Sequence, residues 1–95
     1  MSLNVRENRE SHRYEAVDEA GAVAGFVEYV DHHDTRDLVH AEVRDELEGQ
    51  GVGSTLARGV LDAVLDAGMA TRVTCPFLVS WVEKHPEYAG RVVLG

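Results

Sequence analysis

The chain has 95 residues, 44% of them hydrophobic, and 17 acidic side chains against nine basic ones give it a formal charge of −8. That length makes a single domain with one core, and the apolar content excludes a disordered chain. The acidity excludes nucleic acid as a partner, since that affinity depends on Lys and Arg neutralising phosphate; it attracts cationic groups such as amines, and equally serves solubility or tolerance of salt.

No apolar run approaches the roughly 18 residues needed to cross a bilayer, and the stretch from Met1 to Glu10 has no signal-peptide core. A cytoplasmic location without membrane contact is therefore expected. The single cysteine, Cys75, cannot form an internal disulfide and suits a reducing compartment.

In chain order, Leu3 to Asn8 reads as an edge strand and His12 to Val17 as its neighbour, with Tyr14 and Ala16 alternating with charged residues. Asp18-Glu19-Ala20-Gly21 is a hairpin turn. Ala22 to Val30 is apolar on both faces, as a central strand would be. The polar segment Asp31 to Asp37 reads as a turn; its His32 and His33 point to opposite sides of an extended chain, which favours a solvated loop over a metal site. Leu38 to Val43 is the next strand. On it His40 and Glu42 are two apart and share a face, so either can act as a base or polarise a water beside an amine.

Three glycines in five positions follow, in Glu48-Gly49-Gln50-Gly51-Val52-Gly53-Ser54. Gly49, Gly51 and Gly53 permit positive φ and close approach of a ligand to the main chain. The helix that opens at Ser54 adds unpaired N–H groups and the positive end of its dipole, so an anion site for phosphate or pyrophosphate is expected here. Neither standard fingerprint fits, because no Lys follows Gly53 and Leu56 stands where a dinucleotide loop needs its third glycine.

From Ser54 the apolar positions Leu56, Ala57, Val60, Leu61, Val64 and Leu65 form one stripe of an amphipathic helix, with Gly68 as its C-terminal cap. Thr71 to Thr74 is then a strand parallel to the one before the loop, completing a βαβ unit. Cys75 precedes Pro76, which favours the first turn of a helix, so the thiol is expected at an N-cap at the C-terminal end of a parallel strand, where reactive groups are commonly found. Phe77, Leu78, Trp81, Val82 and His85 make a helical packing stripe, and Pro86 ends that helix before a tail containing Tyr88.

The loop, together with Cys75-Pro76-Phe77 and His85-Pro86-Glu87-Tyr88, resembles the small single-domain GCN5-related N-acetyltransferase-like proteins. The C-terminal half carries the closer match, and the N-terminal half follows in strand pattern. Glu48 departs from the family, which prefers Gln or Arg there; a carboxylate cannot donate to phosphate, so Glu48 is expected to turn away and leave binding to the backbone. The resemblance implies one α/β (α+β) domain over residues 1–95, with a mostly antiparallel sheet, a central splayed parallel pair and two main helices. It implies acetyl-CoA or coenzyme A on Gly49, Gln50, Gly51, Val52, Gly53 and Ser54, with the pantetheine arm pairing near Val43. It also implies transfer of acetyl to an amine, on a small molecule or a protein tail, either directly with Glu42 or His40 taking the proton or through Cys75. Tyr88 is a further candidate acid toward the departing thiolate. The alternative is a non-catalytic acyl-CoA-binding or protein-interaction module, in either case a monomer or weak homodimer.

Overall fold

The computed structural model describes residues 2–95 and contains six strands and three α-helices. Strands β1 (Asn4–Asn8), β2 (Arg13–Val17), β3 (Val23–His32) and β4 (Thr35–Val43) form an antiparallel meander. Helix α1 (Val52–Asp66) then crosses to β5 (Ala70–Val73), which runs parallel to β4. Helices α2 (Pro76–Glu83) and α3 (Pro86–Ala89) lead to β6 (Val93–Leu94), which is parallel to β5. The strands lie in sequence order, β1 to β6. The mixed sheet with its central parallel pair is thus as the sequence indicates; β6 and its second parallel pairing are additional.

Two hairpins set the register. Between β2 and β3, Asp18 Oδ1 accepts from the N–H groups of Ala20 and Ala22, and Gly21 takes the left-handed conformation at φ 85°. Between β3 and β4 the strands run further than the polar composition suggests, pairing Asp31 with Arg36 and His32 with Thr35. His33 turns the chain at φ 56°. The polar segment from Asp31 to Asp37 is therefore mostly strand, closed by a tight turn.

Alternate strand residues reach the core on one face. Tyr14, Ala16, Val27, Tyr29 and Leu38 meet Leu56, Val60, Leu61 and Val64 of α1, and Leu78, Trp81 and Val82 of α2 join the same cluster. Helix α1 approaches β1 so closely at Gly59 that a Cβ there would lie 2.5 Å from Val5 Cγ2. Both main helices thus pack on one face of the sheet. Among the described residues no helix is long and apolar enough to cross a membrane.

The distal end of the sheet is tied by Arg36. Its Nε and Nη2 donate to the two Asp31 oxygens at 2.7 and 2.9 Å, and Nη1 donates to Tyr14 Oη at 2.8 Å and Glu7 Oε2 at 3.1 Å. The guanidinium lies 3.7 Å from the Tyr29 ring centroid, and the Tyr29 hydroxyl donates to the same Glu7 oxygen at 2.6 Å. Burial, reinforced by Glu7, pushes the Tyr29 phenol up to about 12, while the Arg36 hydrogen bonds hold Asp31 below the usual carboxylate range. The Arg36 side chain is 11% exposed, so its loss leaves acidic groups without their common partner. Arg36→Leu should cost about 3 kcal/mol in urea unfolding at pH 7. Because the folded-state pKa of Asp31 is depressed, its contribution is present above the unfolded value near ~3.9 and is lost as pH falls through the folded one. The difference between wild type and variant should therefore narrow below about pH 4.

Candidate functional site

The site begins where β4 and β5 part. Their parallel pairing covers Thr35–Leu38 against Ala70–Val73 and stops there. The Leu38 carbonyl accepts from both Thr74 and Cys75 N–H at 3.0 Å, after which the chain turns away into α2. From Val39 to Val43 β4 keeps β3 on one side and has no strand on the other, which leaves main-chain groups at that edge for a ligand. The two strands splay as the family resemblance implies.

A bulge re-aims β4 at the same point. Glu28 pairs with His40 and Tyr29 with Leu38, so Val39 has no partner. Leu38 is buried in the core, whereas His40 and Glu42 stand on the opposite, open face beside their partners Glu28 and Phe26. His40 Nε2 and Glu42 Oε2 lie 3.0 Å apart, with half or more of each side chain exposed.

Beyond Val43 a 3-10 turn, Asp45–Leu47, leads into the glycine loop. Gly49 and Gly51 both have φ 81°, and nothing lies within 4 Å of a Cβ placed on either, so the conformation alone requires glycine and the space above the loop is open. The first hydrogen bond of α1 runs from Thr55 N–H to the Gly51 carbonyl at 3.1 Å, which leaves Val52, Gly53 and Ser54 N–H ahead of the helical ladder. Gly53 departs from expectation. It lies within the helix, and a Cβ there would be 3.0 Å from Phe77 Cζ. Its role is to admit the Phe77 ring.

These pieces enclose a cleft of about 340 Å³ that collects Val43, Gly49, Gly51, Val52 and Gly53 with Glu42. Phe77, read from spacing as core, is 42% exposed and forms one wall; Ala41 and Leu47 are lining residues that the sequence did not single out. Glu48 also lines the cleft rather than turning away from it as its charge suggests. Gln50, exposed on the loop, and Ser54, whose hydroxyl accepts from Trp81 Nε1 at 3.0 Å, do not line this cleft. A second cleft of about 400 Å³ opens on the other side of the β4 end, against Arg13, Phe26, Arg44 and Asp45. Glu42 and Val43 line both.

Cys75 is the N-cap of α2, as its proline neighbour indicates, yet it is 3% exposed, belongs to the hydrophobic cluster and lines neither cleft. Tyr88 is buried against α1, donating to Asp62 at 2.7 Å and accepting from Arg58 at 3.3 Å; burial raises its pKa, and it lines neither cleft. His85 stacks on Trp81 with ring centroids 3.7 Å apart and donates through Nδ1 to the Trp81 carbonyl. Among the described residues no cluster of His, Cys, Asp or Glu could hold a metal ion.

Comparison with known proteins bears on the same elements. The model of the family described as GCN5-related N-acetyl-transferase matches residues 13–91, which span strands β2 to β5, the loop and both main helices. The chain belongs to that family. A GCN5-like protein from Staphylococcus aureus, solved by NMR in solution, superposes with a TM-score of 0.70 at 26% identity, covering 100% of this chain and 92% of that one. Protein NATD1 of Bos taurus is 36% identical over 50 residues, covering 53% of this chain and 44% of that protein. Protein NATD1 of Xenopus tropicalis is 34% identical over 52 residues, covering 55% and 48%. The chain spans less than half the length of these curated relatives.

The loop conformation can be tested without a ligand. Gly51→Ala puts a side chain at positive φ and should cost about 1–2 kcal/mol of stability by chemical denaturation. Gln50→Ala, on the same loop, should change stability by less than about 0.5 kcal/mol.

Proposed function

We infer that the protein is an N-acetyltransferase that takes acetyl-CoA as acyl donor and an amine as acceptor. One observation carries this reading: Glu42 and Val43 lie between two clefts, the first built around a loop of free N–H groups and the second open to solvent. The first fits coenzyme A by its chemistry. Its backbone donors and the N-terminus of α1 suit a pyrophosphate, and the unpaired edge of β4 suits an amide-bearing arm that adds to the sheet. When bound, acetyl-CoA supplies a thioester carbonyl open to attack.

Glu42 is the proton acceptor in this reading. Glu42 lines both clefts, and His40 Nε2, 3.0 Å from its carboxylate, can orient it or pass the proton on to solvent. Main-chain N–H groups of β4 near Val43 would steady the oxyanion that develops as the amine adds. The geometry favours direct transfer over a covalent route through Cys75, whose buried thiol packs in the core and fronts neither cleft.

Thermal unfolding in excess acetyl-CoA, CoA and ATP tests the donor site. Both CoA forms at 100 times their Kd should add about 2.7 kcal/mol, and ATP should add less. No shift with either CoA form would remove the assignment. Glu42→Gln should lower kcat by about 10²-fold or more while retaining the CoA shift, and Cys75→Ala should change kcat by less than about threefold. An acetylated Cys75 detected by intact mass, with activity lost in the Ala variant, would instead establish the covalent route. CoA binding without turnover of any amine would leave an acyl-CoA-binding module.

A further inference from the structure

The donor cleft carries the same sign of charge as the ligand assigned to it. Resting on the acetyltransferase reading, we propose that Glu48 makes donor binding depend on salt: coenzyme A is held more tightly as ionic strength rises, the reverse of a site built on Arg and Lys, and Glu48 is the residue that sets this sign.

Three observations lead there. First, Glu42 and Glu48 are the only ionisable side chains among the residues that line the cleft, so no Arg, Lys or His stands in its wall. Glu42 has His40 beside it at 3.0 Å. Among the described residues Glu48 has no cationic partner within 4.0 Å. Its charge is therefore uncompensated at the place where phosphates would enter.

Second, the arginines that bracket the loop in the chain are committed elsewhere. No basic residue stands between Arg44 and Arg58, whereas Asp45, Glu46 and Glu48 do. Arg44 donates to Glu46 Oε2 at 2.7 Å and lines the other cleft. Arg58 lies 3.6 Å from Glu87 Oε2, donates to Tyr88 Oη at 3.3 Å and has its guanidinium 5.4 Å from the Trp81 ring centroid.

Third, what remains to attract a phosphate acts only at short range. The Val52 and Gly53 N–H groups stand ahead of the helical ladder, and the dipole of α1 amounts to roughly half a charge whose effect fades within the first turn. Two carboxylates outweigh half a charge at a distance, while hydrogen bonds prevail at contact. Salt separates the two. The screening length falls from about 10 Å at 0.1 M salt to about 3 Å at 1 M, so the repulsion between Glu48 and an approaching pyrophosphate fades while the bonds at contact persist. Where Arg and Lys hold the phosphates, the same screening removes attraction and weakens binding.

Calorimetric titration with CoA in about 0.1 M and about 1 M KCl tests this. The wild-type Kd should fall about threefold or more between the two salts. Glu48→Gln keeps the size and removes the charge; it should bind about threefold or more tighter than wild type at the lower salt, with a markedly flatter salt response. Glu48→Arg should reverse the sign, its Kd rising with salt. The whole chain is also acidic, with a formal charge of −8, so a control must separate local from overall charge. Asp66→Asn makes the same change in net charge at the exposed C-terminal end of α1, about 20 Å from Val52 at ~1.5 Å per residue, and should respond to salt as wild type does. A wild-type Kd that rises with salt, or one salt response shared by wild type and Glu48→Gln, would overturn the proposal and leave the acetyltransferase reading intact, since CoA would still bind. Equal effects of Asp66→Asn and Glu48→Gln would do the same. Absence of CoA binding by any of these proteins at either salt would overturn both.

Discussion

The Leu38 carbonyl accepts two N–H groups, those of Thr74 and Cys75, and in doing so ends the pairing of β4 with β5. A parallel pair that continued to Val43 would fill the gap and leave no edge for a ligand. Instead Thr74 and Cys75 consume the last acceptor, Pro76 starts α2 at once, and β4 runs on alone beside β3. The bulge at Val39 is the matching adjustment on the other strand. It lets Leu38 remain in the core and turns His40 and Glu42 outward, so one strand packs at its start and lines the clefts at its end.

The rest of the fold holds that parting open. Helix α1 is fixed over the sheet by Leu56, Val60, Leu61 and Val64, and its first turn is fixed to α2 by the Trp81–Ser54 hydrogen bond and by Phe77 lying against Gly53. The start of α1 beside the glycine loop is therefore held both to the sheet and to α2, so that N–H groups at the loop are already in place. At the far end the Arg36 network secures β1 to β4 away from the site.

Much of this is visible in the residues because local chemistry dictates it. Gly49 and Gly51 are needed for their positive φ, Gly21 and Gly68 for turn and cap, and Pro76 for a helix start; each rule acts within a few residues. Misreadings fall where a distant partner decides. Gly53 looks like a third flexible position, but its small size answers Phe77, 24 positions away in the chain. Phe77 sits on an apolar stripe with Leu78 and Trp81, and only the tertiary course of β4 leaves its ring at the cleft rather than under it. Polar Asp31 to Asp37 extends the hairpin because Arg36 pairs across the strand with Asp31, an interaction that composition alone disguises as loop.

Cys75 and Tyr88 show the same limit from the side of chemistry. Both are residue types with catalytic uses, and Cys75 does hold the N-cap that its sequence position indicates. Position along the chain, however, leaves open which way a side chain is turned, and here both are turned into packing: the thiol into the core cluster, the phenol onto Asp62. Glu42 is the opposite case, a carboxylate that strand alternation already sets on one face with His40 as a candidate base. The structure stands it where the two clefts meet, a placement decided by the parting of β4 from β5 rather than by residues near it in the chain.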